Sequence, residues 1–296
     1  MEGKRFFFLF ALAFLFSFPA QVSKNRPEKS LKVMSFNIRC FTLLDGLDNW
    51  LFRKKEVVKL LKRYHPDLIG LQEVTPIQIK DLEQSLEEYR WFGLPRGDGK
   101  TRGERCPIFF KKDRFELITH QTFWLSETPE VAGSRSWGSA CKRIVSWGKF
   151  RDRESGMVFY HFNTHFDHQS SLARRMSARL LLEKTREIAQ NYPVIITGDF
   201  NARDTSEPYL IITSRFQDAR KISLSPPRGP YGTSRSFIPY TPVGARIDYI
   251  FVSEQIKVLE YAVLDDTYGR NRRPSDHMPV LVKISWQEEK IEQKGD

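Results

Sequence analysis

Polar residues recur at the ends of short apolar segments of this sequence, where several of them could act together on one ligand. Asp199 and Asn201 follow the segment "VIITG", Asn37 follows "VMSF", and Glu73 follows "IGLQ". The same placement holds for Asn163 and His165 after "MVFYHF", for Asp248 after "ARI", and for Asp276 and His277 before "MPVLVKI". In open α/β sheets, ligands bind at the carboxyl ends of buried strands. These positions therefore predict one shared site.

The types of these side chains indicate a metal-dependent reaction. Asp and Asn are also ordinary turn residues, so one such position carries little information. A charge at the end of an apolar strand is costly unless it is paired, and six such positions suggest groups that surround a cation. Oxygen donors with two histidines and no cysteine favour Mg²⁺ or Mn²⁺ over zinc. A divalent ion with carboxylates and imidazoles is typical of phosphoryl transfer to water.

The segments that must position these groups alternate between strand and helix patterns. "FRKKEVVKLLKRY", "PIQIKDLEQSLEEY" and "SLARRMSARLLLEKTREIAQ" have helical spacing, and the short apolar segments between them predict strands. A run of strands in mid-chain, from "PIFFKK" to "GMVFYHFNTH", indicates hairpins. This order favours an α/β (α+β) fold with two sheets packed face to face and helices outside.

The two ends of the chain are predicted to lie outside the folded domain. Residues 1–20 contain Lys4, Arg5 and an apolar run of 13 residues, about 20 Å as a helix, which is short for a membrane span. They are typical of a signal peptide, with an uncleaved N-terminal anchor or a buried first helix as alternatives. Residues 21–30 are predicted to be a polar spacer, 31–285 the domain, and 286–296 a charged tail. We therefore expect an exported monomer, periplasmic or secreted, with tethering to a membrane through the N-terminal segment as the alternative.

The chain is strongly basic. The net charge is +11, and it is +10 without residues 1–20, which contain two basic residues and one acidic residue. A basic protein favours polyanionic partners such as nucleic acid or anionic lipid headgroups. The three cysteines, Cys40, Cys106 and Cys141, have no spacing typical of a zinc site. Either one pair is oxidised or all three are small buried residues.

Six short motifs carry a resemblance to a known family. "FNIR", "LQEV", "NTHFD", "GDFN", "IDYIF" and "SDHMPV", in this order, resemble the endonuclease/exonuclease/phosphatase superfamily, which shares the deoxyribonuclease-like fold. "RGDG", "FWLSETP" and "NTHFDH" further resemble a bacterial subgroup near the poly(A) deadenylases. The resemblance covers about residues 31–285. It implies a four-layer α/β sandwich of two mostly antiparallel sheets flanked by helices, and an Mg-dependent phosphoric ester hydrolase.

The resemblance also implies a role for each polar residue. Asn37, Glu73 and Asp276 would form the metal site, with Glu73 as the main ligand. Asp199 would orient or deprotonate the attacking water, and Asn201 would hold a phosphoryl oxygen. The remaining catalytic residues would be His165, near the leaving group, and His277, with Asp248 fixing its tautomer. Whether Asp199 or His277 is the base, and whether one metal or two act, stays open.

Basic loops are predicted to surround the site and bind substrate phosphates. "YGRNRRPSDH" places Arg270, Arg272 and Arg273 close before Asp276 and His277. The predicted substrate-binding set also includes Arg96 and Arg102, in the Gly-rich loop "LPRGDGKTRGER", and Arg174. Solvated surface charge is the alternative for these residues.

Three functions fit these observations. The first is a metal-dependent phosphodiesterase or nuclease, similar to a 3'-5' exoribonuclease. The second is a hydrolase of a lipid or small-molecule phosphoester, similar to a sphingomyelinase or inositol phosphatase, which a secretory signal favours. The third is an inactive binding module, which the complete set of polar residues argues against.

Overall fold

Two six-stranded sheets form the centre of the protein. The computed structural model describes residues 29–237 and 241–287. The strands of the first sheet are β1 (Ser30–Asn37), β2 (Leu68–Gln72), β3 (Tyr89–Phe92), β4 (Ile108–Lys111), β11 (Ile256–Val263) and β12 (Val280–Trp286). Those of the second are β5 (Phe115–Trp124), β6 (Ile144–Asp152), β7 (Val158–His165), β8 (Val194–Asp199), β9 (Gln217–Asp218) and β10 (Asp248–Val252).

Each sheet contains one parallel pair of strands joined by a helix. The first sheet has the order β11-β12-β1-β2-β4-β3, and the second has the order β5-β6-β7-β8-β10-β9. β1 and β2 are parallel, β7 and β8 are parallel, and the other neighbouring strands are antiparallel. The connecting helices are α1 (Trp50–Tyr64) and α3 (Ser171–Ala189). The carboxyl ends of the two parallel pairs are therefore available at one end of the sandwich.

Helices cover the outer faces of both sheets. Buried residues of α1 and α2 (Pro76–Ser85) pack on the first sheet around Phe36 and Leu71. Buried residues of α3 and α4 (Glu207–Thr213) pack on the second sheet around Phe162 and Ile196. A third apolar cluster joins the inner faces of the two sheets. The result is the four-layer α/β sandwich that the sequence predicted.

Local signals explain where the two connecting helices begin. The side chain of Asn49 accepts a hydrogen bond from the backbone N–H of Leu51 at the start of α1. The side chain of Ser170 accepts one from Ala173 N–H at the start of α3. Asn and Ser are preferred at these cap positions because their oxygens satisfy N–H groups that have no partner within the helix. The helices therefore start at defined residues just after the site-bearing strands.

The structure refines several predicted boundaries. The helix predicted from "PIQIKDLEQSLEEY" ends at Ser85, and Tyr89 instead begins the short edge strand β3. Ser30, placed in the predicted spacer, already pairs with Ser285, and Trp286, placed in the tail, belongs to β12. The predicted signal peptide or anchor lies outside the described residues and stays a prediction. Within the described ranges, every helix is too short or too polar to cross a bilayer.

Candidate active site

The predicted polar residues meet at one end of the sandwich, between the two sheets. Asn37, His165 and Asp199 are the last residues of β1, β7 and β8, and Glu73 directly follows β2. Asp248 is the first residue of β10, which runs antiparallel to β8, so that Asp248 pairs with Asp199 in the sheet register. The carboxyl ends of parallel strands and the start of an antiparallel strand therefore deliver these side chains to one place.

Asn37 connects the carboxylates that come from the two sheets. Its Nδ2 donates hydrogen bonds to Glu73 Oε1 at 3.1 Å and to Asp199 Oδ2 at 3.0 Å. The other oxygen of Glu73 accepts a hydrogen bond from the backbone N–H of Cys40 at 2.9 Å. Although burial opposes ionisation of Glu73, these donors hold its pKa below the ordinary value. Glu73 is therefore an ionised carboxylate in a fixed orientation.

Asp199 is oriented from a second side by Asn201 and lies close to His165. The backbone N–H of Asn201 donates to Asp199 Oδ1 at 2.9 Å, and its Nδ2 donates to His165 Nε2 at 3.0 Å. Asp199 Oδ2 lies 3.5 Å from the same nitrogen. Burial, followed by the positive charges of Arg143 and Arg96, lowers the pKa of His165 well below its ordinary value. His165 is thus a neutral imidazole whose Nε2 accepts a hydrogen bond.

His277 has the opposite electrostatic environment. Its Nδ1–H donates to Asp248 Oδ2 at 2.8 Å, and its Nε2 lies 3.7 Å from Asp199 Oδ2. Asp248 is anchored by its backbone N–H, which donates to Thr233 Oγ1 at 3.0 Å. Burial alone would lower the pKa of His277, but the charges of Asp248 and Asp199 raise it well above its ordinary value. His277 is therefore held as an imidazolium with Nε2 facing Asp199.

These side chains line an open cavity of about 300 Å³. Glu73, Asp199 and Asp276 face it together, and burial, then the neighbouring charge of Asp248, raises the pKa of Asp199 to about 7. Burial also raises the pKa of Asp276, and the charge of Glu73 adds to this effect. Buried carboxylates that repel one another are stabilised by a divalent cation. The oxygen donors therefore fit the predicted divalent ion, Mg²⁺ or Mn²⁺.

A second group of residues has ligand atoms close enough together to hold a metal ion. One ligand atom from each of Asp199, Asp248 and His277 lies within 4.8 Å of the others. The 2.8 Å hydrogen bond between His277 and Asp248 already uses one atom of each. This group is therefore better described as a hydrogen-bonded Asp–His pair beside a carboxylate, and Glu73 with Asp276 remains the predicted metal side of the cavity.

The backbone is strained at several positions of the site. Arg39, Glu73 and Asn201 have φ values of 56°, 62° and 47°, in the left-handed region that side-chain-bearing residues rarely adopt. Asn tolerates this region, but Glu and Arg do so at a cost in free energy. The conformation of Glu73 turns its carboxylate back to Asn37 and to the Cys40 amide. The cost is therefore offset by contacts that only the site provides.

The structure places the predicted basic rim differently from the sequence prediction. Arg273 is buried and binds Asp265 at 2.7 Å, because a buried guanidinium needs a counter-ion. Arg272 binds Asp48 at 2.6 Å, and only Arg270 of the three is fully exposed. Two of the three predicted rim arginines are therefore paired with carboxylates, and phosphate binding by the trio stays a prediction. The pairing partners Asp265 and Asp48 come from distant segments of the chain.

The other predicted substrate-binding arginines also differ in whether they face the cavity. Arg96 lines the cavity and binds Glu104 at 2.7 Å. Arg102 is exposed and pairs with Asp98, and Arg174 donates to the backbone oxygen of Asp167 at 2.9 Å. Of this group, only Arg96 is positioned to contact a substrate in the cavity.

Sequence reasoning missed several residues that line the cavity. They are Arg39, Cys40, Glu104, Cys141, Arg143 and His168. The most informative is Arg143, which is buried and whose Nε and Nη1 have no hydrogen-bond partner among the described residues. Its Nη2 contacts Nδ1 of His168 at 3.0 Å, and His168 also lines the cavity. Arg143 immediately precedes β6, so the strand-end argument applied to "CKRIVSW" would have found it.

Comparisons with known proteins bear on the family and the fold of the chain. A sequence profile described as "Endonuclease/Exonuclease/phosphatase family" matches residues 34–277. The crystal structure of an endonuclease/exonuclease/phosphatase family protein from Bacteroides thetaiotaomicron is 36% identical, with a TM-score of 0.84, and the match covers 89% of this chain and 100% of that one. A mannosyl-6-phosphatase from the same species is 37% identical, with a TM-score of 0.82, over 86% of this chain and 100% of that one.

A curated relative extends the comparison to animals. Mouse nocturnin is 28% identical over 306 aligned residues, which cover 88% of this chain and 66% of the relative. This chain therefore spans about two thirds of that protein. The catalytic domain of human nocturnin, at 23% identity and a TM-score of 0.69, shares the fold. The matched profile, the four-layer sandwich and the similar bacterial structures together show that the chain belongs to the endonuclease/exonuclease/phosphatase family.

Proposed function

We propose that the protein is a divalent-metal-dependent phosphoester hydrolase that acts on a small or lipid-borne phosphoester rather than on a nucleic acid polymer. The observation that carries the proposal is the cavity itself, in which Glu73, Asp199 and Asp276 face His165 and His277. Carboxylates, an imidazolium and a neutral imidazole around one small space supply what hydrolysis of a phosphoester requires.

The residues of the site can be assigned roles from their contacts. Bound at Glu73 and Asp276, a divalent ion would neutralise charge on the phosphoryl oxygens. Asp199, fixed by hydrogen bonds from Asn37 and from the Asn201 backbone, orients the attacking water and accepts its proton at a carboxylate oxygen.

His277 and His165 act on the charge that develops during the reaction. His277 carries a proton on each ring nitrogen because it pairs with Asp248, so it stabilises negative charge and does not act as the base. Neutral His165 lies on the side of Arg96 and Arg143, where an uncharged Nδ1–H donor can contact the leaving group. Asn201 holds His165 in that tautomer through its Nδ2.

The arginines favour a small, doubly charged substrate. Arg39, Arg96 and Arg143 all line the cavity. Nε of Arg143 lies 3.7 Å from Asp167 Oδ2, while its Nη1 has no hydrogen-bond partner among the described residues. Arg39 and Arg96 pair with Asp45 and Glu104, yet both face the cavity. Arg272 and Arg273 pair with Asp48 and Asp265 and are not among the residues that line it. A terminal phosphate carries more negative charge than a diester and suits planar arginine donors. The similarity to a mannosyl-6-phosphatase supports the same substrate class.

A nuclease is the second candidate function. Net charge +11 is the observation that favours it, because a basic surface attracts polyanions of either kind. The two functions differ in what the inward-facing arginines do. They would neutralise a terminal phosphate in one case and a single internal phosphodiester in the other.

A substrate panel distinguishes these functions. The full chain would be assayed with Mg²⁺ on mannose 6-phosphate, inositol phosphates, sphingomyelin, bis(p-nitrophenyl) phosphate, duplex DNA, and single-stranded RNA and DNA. We expect kcat/KM to be at least 10-fold higher on one of the first three than on any polymer. Preferential cleavage of single-stranded RNA or DNA would reject the proposed substrate class while retaining the hydrolase assignment.

A further inference from the structure

A patch of large apolar side chains lies exposed beside the catalytic cavity. It consists of Leu43, Leu44, Leu47, Leu51 and Phe52, which we call the leucine patch, and their exposed fractions range from 48% to 96%. The other exposed large apolar residues of the described chain are scattered along the sequence. Isolated exposed apolar residues are normal, but a contiguous group indicates a surface that contacts another apolar phase.

The leucine patch is held in place rather than carried on a loose loop. Leu43, Leu44 and Leu47 lie on a short 3-10 helical segment, Leu43–Asp48, which is kinked at Gly46 and in which no side chain is buried. Asp45 of this helix binds the guanidinium of Arg39 through two hydrogen bonds of 3.1 and 2.9 Å. Arg272 fixes its end through Asp48 and the backbone oxygen of Leu47. Several contacts of charged side chains thus hold the segment in a conformation that exposes its leucines to solvent.

The surroundings of the leucine patch are basic. Lys55, Lys59 and Lys62 are exposed on α1, at the helical spacing that continues the line of Leu51 along the outer surface. Of these, Lys59 also pairs with Glu56 at 2.8 Å. Arg270 is exposed on the turn whose neighbour Arg272 contacts Leu47. Lysine stems lie along apolar surfaces while their ammonium groups reach a polar layer. Apolar side chains next to a row of lysines are typical of surfaces that bind anionic membranes.

We propose that the leucine patch docks on an anionic lipid bilayer, so that the catalytic cavity opens toward the headgroup layer. Arg39 connects the two features, because it lines the cavity and also binds Asp45 within the patch segment. A second copy of this chain is a poorer occupant, since pairing two patches would bring two rows of lysines together. This proposal goes beyond the proposed function, because it concerns where the site operates and holds for any phosphoester.

A fluorescent reporter within the patch tests the proposal in the full chain. Leu44→Trp places an indole at the most exposed patch position, and Leu224→Trp is the matched control. Leu224 is 71% exposed. Its backbone N–H donates a hydrogen bond to the backbone oxygen of Val258, near the start of β11, at the opposite end of the sheet from the site. Each variant would be mixed with vesicles whose acyl chains carry bromine, made of phosphatidylcholine alone or with 30 mol% phosphatidylserine. The added fluorescence is obtained by subtracting the wild-type signal.

At vesicle concentrations that sediment the chain, we expect the anionic vesicles to quench at least half of the fluorescence added by Leu44→Trp. The same vesicles should quench little of the fluorescence added by Leu224→Trp. Addition of 0.5 M NaCl should weaken vesicle binding, because salt screens the lysines. Equal quenching of the two variants, no quenching, or failure to sediment would overturn the proposal. So would a blue shift of Leu44→Trp that grows with protein concentration without vesicles, because a second copy would then cover the patch. Phosphoester hydrolysis in solution does not enter this readout.

Discussion

His277 Nδ1 lies 2.8 Å from Asp248 Oδ2, and both residues stand at the start of segments that run away from the site. Asp248 begins β10, and His277 lies shortly before β12 in the other sheet. The hydrogen bond therefore links the two sheets at the catalytic end. It also determines which ring nitrogen faces Asp199, since Nδ1 is committed to the carboxylate.

Replacing Asp248 with Asn should lower kcat about 10²-fold or more, because the neutral amide no longer stabilises the imidazolium or selects its tautomer. The charge of Asp248 raises the pKa of His277, so its loss should move that pKa downward. Steady-state kinetics would measure the first effect, and an NMR titration of the His277 ring in metal-free protein the second.

A double-mutant cycle tests whether the two residues act as one unit. Asp248→Asn combined with His277→Ala should cost little more than His277→Ala alone, since coupled residues are non-additive. If the fold-decrease in kcat of the double variant equals the product of the two single fold-decreases, Asp248 acts independently of His277.

Asp199→Asn should abolish most activity yet make the stability of the metal-free protein less sensitive to alkaline pH. Burial and Asp248 raise the pKa of Asp199 from 3.8 to about 7, so the folded state holds a proton that the unfolded state has lost between these values. The wild-type free energy of unfolding therefore falls as pH rises through this window, and the Asn variant escapes that loss.

Denaturant unfolding in EDTA would measure the effect. We expect the stability of the variant relative to wild type to rise by at least about 1 kcal/mol between pH 4 and pH 8. Asp113→Asn, at an exposed position, is the control and should show no such rise. A relative stability that stays the same from pH 4 to pH 8 would contradict the electrostatic description of Asp199.

Glu73→Gln should raise the Mg²⁺ concentration that gives half-maximal activity by at least about 10-fold, because a charged ligand is lost. The side-chain oxygen can still accept the Cys40 N–H, so the fold should persist. Calorimetric titration with Mg²⁺ would measure binding apart from turnover. Glu127→Gln, at an exposed position, is the matched control, and equal Mg²⁺ affinity in the Glu73 variant would remove this residue from the metal site.

Gly70→Ala should destabilise the protein by about 1–3 kcal/mol through overpacking between the sheets. A Cβ at Gly70 would lie 2.0 Å from Thr197 Oγ1 and 2.6 Å from Asn163 Oδ1. These atoms belong to a buried network in which Asn163 accepts hydrogen bonds from Thr197 at 3.0 Å and from Gln72 at 2.7 Å. Thermal unfolding would measure the loss, and adding Thr197→Ala should recover part of it. If the stability loss of the double variant equals the sum of the losses of Gly70→Ala and Thr197→Ala, there is no clash at this position.

Much of the site could be predicted from local sequence because strand ends determine it. Glu73, His165 and Asp199 directly end or follow buried strands, and their approach follows once the two parallel pairs are aligned. The network around Asn163 has another role from the one its position suggested. Its Nδ2 donates to the backbone oxygens of Leu71 and Pro107, so it joins the sheets below the cavity.

The basic residues could not be predicted in this way, because their partners are distant in sequence. Arg272 and Asp48 are 224 positions apart, and no local pattern indicates that they pair. Helix α2 ended earlier than its periodicity suggested because Tyr89 pairs with Lys111 in the sheet, so a long-range contact outweighed a helical pattern. The leucine patch could not be predicted for a similar reason. Whether a side chain is exposed depends on which distant segments of the chain cover it.

The most direct test of the central claim is phosphate release by the full chain under control of the divalent ion. Wild type and Asp199→Asn would be treated with EDTA, assayed on a phosphomonoester, and assayed again after Mg²⁺ is restored. We expect wild-type activity to disappear in EDTA and return with Mg²⁺, while Asp199→Asn stays at least about 10²-fold slower than wild type once Mg²⁺ is restored. Full-rate hydrolysis in EDTA, or wild-type rates in a folded Asp199→Asn protein, would contradict the account.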